Sequence, residues 1–116
     1  MIHIDEYEFG CIRIGGVEYS KDVIILRGAV RCPWWRDAGG HVFAPEDLEE
    51  LIAAAPEIVL LGTGDSGRVE VRKETLEAFR KARTRVIVDR TGQLVGEFNR
   101  LAMEGIDVAA ALHLTC

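Results

Sequence analysis

Apolar positions in the second half of the chain fall into an alternating series of helix-like and strand-like segments. Leu48, Leu51, Ile52 and Ala55 recur at the spacing of one helical face. The segment opens on Pro45-Glu46-Asp47, where proline loses no needed donor and two acids meet the positive end of the helix dipole. Pro56 stops it. IVLL at 58–61 is short and apolar throughout, the pattern of a strand covered on both faces. RVEVR at 68–72 alternates and favours extended chain. KETLEAFRKAR at 73–83 predicts a second helix, with Leu76, Phe79 and Arg80 at helical spacing, and VIVD at 86–89 predicts another buried strand. Thr91 is the expected cap of a third helix running to Glu104, with Leu94, Val95, Phe98, Leu101 and Ala102 inward and Gly105 at the left-handed exit. IDVAAALHL at 106–114 predicts the last strand. Such alternation builds a parallel or mostly parallel sheet with right-handed crossovers.

The first part of the chain has the period of strands. EYEFGCIRI at 6–14 reads as one loosely alternating strand, with Tyr7, Phe9, Cys11 and Arg13 on one face and Glu6, Glu8, Ile12 and Ile14 on the other. Gly15-Gly16 supplies positive φ and predicts a hairpin. VIIL at 23–26 follows as a strand. Residues 31–44 hold a proline, two glycines and both tryptophans, and predict an ordered loop. The sum is α/β with a β appendage.

Composition narrows the partners. The 116 residues suit one domain, and 48% hydrophobic content gives it a core without staples. Fourteen basic against nineteen acidic side chains leave a net charge of −5. That balance argues against nucleic acid and against anionic membrane surfaces. No apolar run approaches the ~20 residues that span a bilayer. The opening MIHIDEYEFG carries acids early and does not read as a signal peptide. Cys11, Cys32 and Cys116 form no C-x-x-C pair and read as reduced thiols, so the expected location is cytoplasmic.

Two stretches carry candidate chemistry. LLGTGDSG at 60–67 has the spacing G-x-G-x-x-G after a strand, with Asp89 closing the next strand. A dinucleotide fingerprint also needs the loop to open directly into a helix, and RVEVR intervenes, so the dipole and N–H groups that bind pyrophosphate are not expected there. A bare turn and a pocket for a small polar ligand, offered by Thr63, Asp65 and Ser66, both remain open. Trp34-Trp35 is the second stretch. Neighbours in extended chain point to opposite faces, so one indole is expected inside and the other out. An exposed Trp beside Arg36 suits a protein interface; two indoles covering the core edge is the competing reading. His113, in an apolar strand, reads as a core or rim residue. His3 and His41 have no partner at metal spacing, and a pairing of Cys116 or Cys32 with a histidine is neither favoured nor excluded.

The strings EYEFGCIRIGGVEYSKDVII, PWWR, APEDL, VLLGTG and AAALHLTC, in that order, resemble the Mth-type conserved hypothetical family. Its relatives include the adipogenesis-associated Mth-domain protein and a mitochondrial complex I assembly factor. The resemblance implies a single three-layer α/β domain, here 1–116, with a central mixed sheet and an attached N-terminal hairpin. It implies no established catalytic residues, so none is carried over, and no metal or cofactor is expected. Gly62-Thr63-Gly64 matches the family's glycine loop and Trp35-Arg36 its tryptophan-arginine step, while Cys32 departs from the pattern and is given no role.

The resulting expectation is a non-enzymatic binding or assembly module that recognises a protein partner. Its candidate binding residues are Trp34, Trp35, Arg36, Gly62, Thr63, Gly64, Asp65 and Ser66, both loops lying on the surface. The alternative is a small-ligand-binding protein or small enzyme using the loop 62–67 with Asp89 and His113 nearby. A homodimer through an edge of the first hairpin is a further expectation.

Overall fold

Two tight turns fold the N-terminal stretch back on itself twice. In the computed structural model, which describes residues 2–116, β1 (Ile4–Glu8), β2 (Cys11–Ile14) and β3 (Val17–Tyr19) form an antiparallel sheet in that order. The turn at Gly15-Gly16 is as expected. The stretch 6–14, however, is two strands and not one: Gly10 at φ 80° breaks it, and Glu8 pairs with Cys11. Its predicted two faces fail with it. Phe9 lies on the turn, 62% exposed, while Ile12 and Ile14 are buried.

β4 (Val23–Leu26) turns through Arg27-Gly28 into β5 (Ala29–Arg31), a strand the pattern did not announce. β6 (Val42–Phe43) lies within the predicted loop. The helix expected from Pro45 divides into a 3-10 turn, Pro45–Asp47, and α1 (Glu49–Ala54). Ala55 sits outside the buried stripe, because it adopts left-handed φ 47° and ends α1 itself. The rest of the order is β7 (Ile58–Gly62), β8 (Glu70–Val71), α2 (Lys73–Lys81), β9 (Arg85–Asp89), α3 (Thr91–Met103) and β10 (Val108–Leu112).

Three further expectations are corrected. α2 buries Thr75 and Phe79, whereas Leu76 and Arg80 face solvent and Arg80 pairs with Glu77. β9 is an edge strand with Val88 exposed, because nothing pairs with its outer side among the described residues. Thr91 does not cap α3. Arg90 takes the extended cap position, and the Thr91 hydroxyl is buried, donating to the His113 carbonyl (2.6 Å) and accepting from the Gly64 N–H (3.0 Å). Gly105 follows the helix in the left-handed conformation, φ 79°, as expected.

The central sheet is mixed and runs β5-β4-β10-β7-β9. β7 pairs in parallel with both β10 and β9; β4 is antiparallel to β10 and to β5. Successive side chains on a strand point to opposite faces, which divides the core in two. On one face Ile58, Leu60, Ala110 and Leu112 meet Leu94, Phe98 and Leu101 of α3 and Ile4, Ile12 and Ile14 of the N-terminal sheet. On the other, Val59, Leu61, Ala109 and Ala111 meet Phe43, Leu48, Leu51, Phe79 and Trp34. The α/β fold therefore has three layers, and every residue of β7 and β10 is buried. No helix among the described residues is long and apolar enough to cross a membrane.

The topology decides what meets at one edge. β7 and β10 are parallel, so residues 62–67 and 113–116 emerge side by side. β4 is antiparallel to β10, so Asp22, just before it, arrives at the same place.

Candidate functional site

Trp34 and Trp35 separate as extended neighbours should. Trp34 is 3% exposed and Trp35 is 75% exposed. The buried indole donates to the Asp47 carbonyl (2.9 Å) and lies against Phe43 with ring centroids 5.1 Å apart. Its backbone N–H donates to the Asp22 carbonyl. The expectation that the whole loop faces solvent is corrected for Arg36, whose side chain is almost wholly covered. Its guanidinium stacks 4.7 Å from the Trp34 ring centroid and donates to Asp22 at 2.8 Å and to the Gly40 carbonyl. A guanidinium packed between an aromatic face and a carboxylate is stable inside. Its Nε–H has no partner among the described residues. The next residues are held too, since the Asp47 carboxylate accepts the N–H groups of Asp37 and Ala38. Trp35 therefore projects from a fixed backbone.

Asp22 is the hub beneath this loop. One oxygen accepts from Arg36 and from His113 Nδ1 (2.7 Å); the other accepts the Leu114 N–H (2.9 Å). Burial pushes this carboxyl up, but the bonds from His113, Leu114 and Arg36 outweigh it and hold it below the ordinary carboxylate value. An ionised carboxylate only accepts, so His113 Nδ1 carries hydrogen toward it. Nε2 lies 3.3 Å from the Thr115 hydroxyl. A cleft of about 440 Å³ opens here, lined by Lys21, Asp22, Trp34, Trp35, Arg36 and His113 among others. Asp22 was absent from the sequence-derived candidates. It carries no local motif, and its importance comes from pairing with groups far along the chain.

The glycine loop is a filled turn. The N–H groups of Thr63, Gly64, Asp65, Arg68 and Val69 donate within the chain, to Asp89, Thr91, Thr115, Cys116 and Thr63 respectively. The Thr63 hydroxyl, buried, donates to the Asp89 carbonyl, and the Ser66 hydroxyl donates to that of Cys116. A Cβ on Gly62 would lie 2.8 Å from Leu112 and from the Thr91 hydroxyl; one on Gly64 would lie 2.6 Å from the Cys116 backbone. Both glycines are required by the close passage of residues 112–116, which occupy the edge where an α/β sheet usually offers its ligand crevice. Asp65 is exposed and accepts a long bond from the Tyr7 hydroxyl (3.4 Å). Asp89 is exposed and caps nothing beyond the adjacent Arg90 N–H. As expected, extended chain follows the loop before α2.

His41 and Cys116 join His113, although 75 positions separate the first two. Cys116 Sγ lies 3.6 Å from His41 Nε2, and the two imidazoles meet edge to face at 5.7 Å. One ligand atom from each of the three lies within 4.8 Å of the others. The sequence spacing gave no sign of this cluster, because loop 31–44 folds over the end of β10.

A family model described as "Protein of unknown function (DUF498/DUF598)" matches residues 4–113. The chain is similar to the solved structure of MT938, at 27% identity over all of both chains, with a TM-score of 0.84. It is similar also to an outer membrane protein from Bartonella henselae, at 25% identity over 97% of this chain and 94% of that one, with a TM-score of 0.82. A Mth938-like domain of Bordetella pertussis shares the fold at 20% identity, with a TM-score of 0.76 over 97% of this chain and 85% of that one.

Proposed function

This chain belongs to the family described as protein of unknown function DUF498/DUF598, the Mth938-like group, and from that premise we propose that it is a non-enzymatic binding or assembly module recognising a protein partner through the loop that bears Trp35. One observation carries the reading: an indole three-quarters exposed stands on a backbone whose neighbours are all pinned. Trp is enriched among residues that dominate binding energy, and a preordered loop loses little freedom on docking. Trp34 and Arg36 serve as the scaffold of this display and form part of the wall of the adjacent cleft. The adjacent cleft suits an apolar or aromatic side chain of the partner, and exposed Lys21 on its rim suits an acidic flank. The net charge of −5 supports a protein over a nucleic acid.

No observation favours loop 62–67 as a ligand cradle, because the N–H groups of Thr63, Gly64 and Asp65 are already bonded. We place the protein in the cytoplasm on the strength of its three free thiols. Cell fractionation checks that placement, and recovery with the outer membrane would overturn it.

The test is photo-crosslinking from position 35 in living cells, with a benzophenone amino acid there and, as control, at exposed position 76 on α2. An adduct specific to position 35, followed by at least a tenfold weaker affinity of Trp35→Ala for the purified adduct partner, is the expected result. A second copy of this chain would be recognised by its own mass. Equal adducts from both positions, or undiminished binding by Trp35→Ala, overturn the reading.

A further inference from the structure

We propose that His41, His113 and Cys116 form a zinc(II) site, with Asp22 as the carboxylate that orients its central histidine. The proposal does not depend on the role of Trp35.

The donor set comes first. Two imidazoles and a thiolate suit zinc, whereas calcium and magnesium require oxygen ligands. Tetrahedral zinc with Zn–N of about 2.0–2.1 Å and Zn–S of about 2.3 Å places a nitrogen and a sulfur ligand about 3.6 Å apart and two nitrogens about 3.3 Å apart. Cys116 Sγ and His41 Nε2 are 3.6 Å apart, and one ligand atom from each of the three residues lies within 4.8 Å of the others. A contraction well under the length of one side chain closes the set.

Preorganisation is the second argument. Histidines that hold zinc commonly donate their other ring N–H to a carboxylate, which fixes tautomer and orientation. His113 does this at 2.7 Å to Asp22, and Arg36 and the Leu114 N–H hold that carboxylate in turn. In the neutral imidazole that metal binding requires, this leaves the lone pair on Nε2. The other two ligands sit on anchored backbone. The His41 carbonyl accepts from the Glu70 N–H, and the Cys116 carbonyl accepts from the Arg68 N–H and the Ser66 hydroxyl. Positions 41, 113 and 116 are thus each held by hydrogen bonds: the His41 and Cys116 backbones through their carbonyls, and the His113 ring through Asp22. Three protein ligands leave a fourth tetrahedral position, the arrangement in which zinc keeps an exchangeable water. Of the three ligands, His113 also lines the cleft.

The experiment is titration of purified protein with zinc chloride against a chromophoric chelator, with cobalt(II) as a spectroscopic probe. The expected result is one metal per chain and a thiolate-to-cobalt charge-transfer band. Asp22→Asn should weaken binding about 10–100-fold, as losses around zinc-bound histidines do, and loss of a ligand should exceed that. His41→Gln and Cys116→Ser are the decisive variants, because neither position belongs to the buried core and both proteins should remain folded by circular dichroism. The Cys11→Ser/Cys32→Ser double variant and Trp35→Ala should bind as the parent does. Zinc affinity unchanged in Cys116→Ser, or no thiolate band with cobalt, overturns the proposal. Failure of partner binding in Trp35→Ala with zinc binding intact would bear on the docking reading alone.

Discussion

Asp22 and His113 meet at 2.7 Å although 91 positions separate them. The contact joins the start of β4 to the end of β10 and holds most of the site together. Around it the carboxylate also neutralises Arg36 and satisfies the Leu114 N–H, while the Asp22 carbonyl receives the Trp34 N–H. A single aspartate therefore links the tryptophan loop, the central sheet and the segment that fills the glycine loop.

Removing that carboxylate should be costly. Asp22→Ala leaves the Arg36 charge, 4% exposed, without its partner. Breaking one side of a buried ion pair costs about 3–5 kcal/mol. Urea denaturation should show a loss in this range for Asp22→Ala and a smaller one for Asp22→Asn, which keeps an acceptor for the Leu114 N–H. Equal, small losses in both would mean that the pair contributes little.

The two tryptophans should separate in the same assay. Trp34→Ala empties a packed position between Phe43 and Arg36, and should cost about 3–5 kcal/mol. Trp35→Ala removes an exposed side chain and should stay within about 0.5 kcal/mol. Acrylamide quenching of the single-tryptophan variants provides an independent check, with the protein that retains Trp35 quenched far more strongly.

Much of this was legible in the sequence, and the failures have physical causes. The apolar runs 58–61 and 106–114 announced central strands, because burial on both faces removes polar residues from such runs. VIVD at 86–89 has the same composition but lies at the sheet edge, since composition does not record how many neighbours a strand has. The Trp34-Trp35 split followed from strand geometry alone. The burial of Arg36 did not, because it depends on Asp22, Trp34 and Phe43 arriving from different elements. The G-x-G-x-x-G loop leads into extended chain, as RVEVR indicated, and residues 112–116 pass close against its first two glycines, Gly62 and Gly64. The cluster of His41, His113 and Cys116 had no local signature at all.

Gly64 offers a test of that close passage. A side chain there meets two obstacles, φ of +105° and the Cys116 backbone 2.6 Å from the new Cβ. Gly16 has a similar φ, +81°, with nothing among the described residues within 4 Å of a new Cβ. Gly16→Ala should show only the cost of positive φ, about 1–2 kcal/mol. Gly64→Ala should exceed it, because backbone must also move. Equal losses would show that residues 115–116 do not press on the loop in solution.

Tyr7 makes stability depend on alkaline pH. Its hydroxyl donates to the Leu114 carbonyl at 2.9 Å and approaches Asp65. Burial first, then the Asp65 charge and hydrogen bond, then the Asp22 charge, push its pKa from 10.0 up to about 12. The folded state thus keeps a proton that the unfolded chain releases near pH 10. Stabilisation from this group is complete below that point and is lost as pH rises from about 10 to about 12. The phenol is partly solvated, so solvent screening reduces the size of the effect but not its sign. Denaturation midpoints measured across this window should fall more steeply for the parent than for Tyr7→Phe, which has no proton to lose. Asp65→Asn should flatten the slope in part, because it removes the Asp65 charge while leaving burial and an oxygen acceptor in place. Parallel curves for the parent and Tyr7→Phe would mean that the hydroxyl is not held against Leu114 and Asp65 in solution, and that the N-terminal sheet is tied to the end of β10 chiefly through the Gly10 N–H and the Leu114 carbonyl, which meet at 2.8 Å.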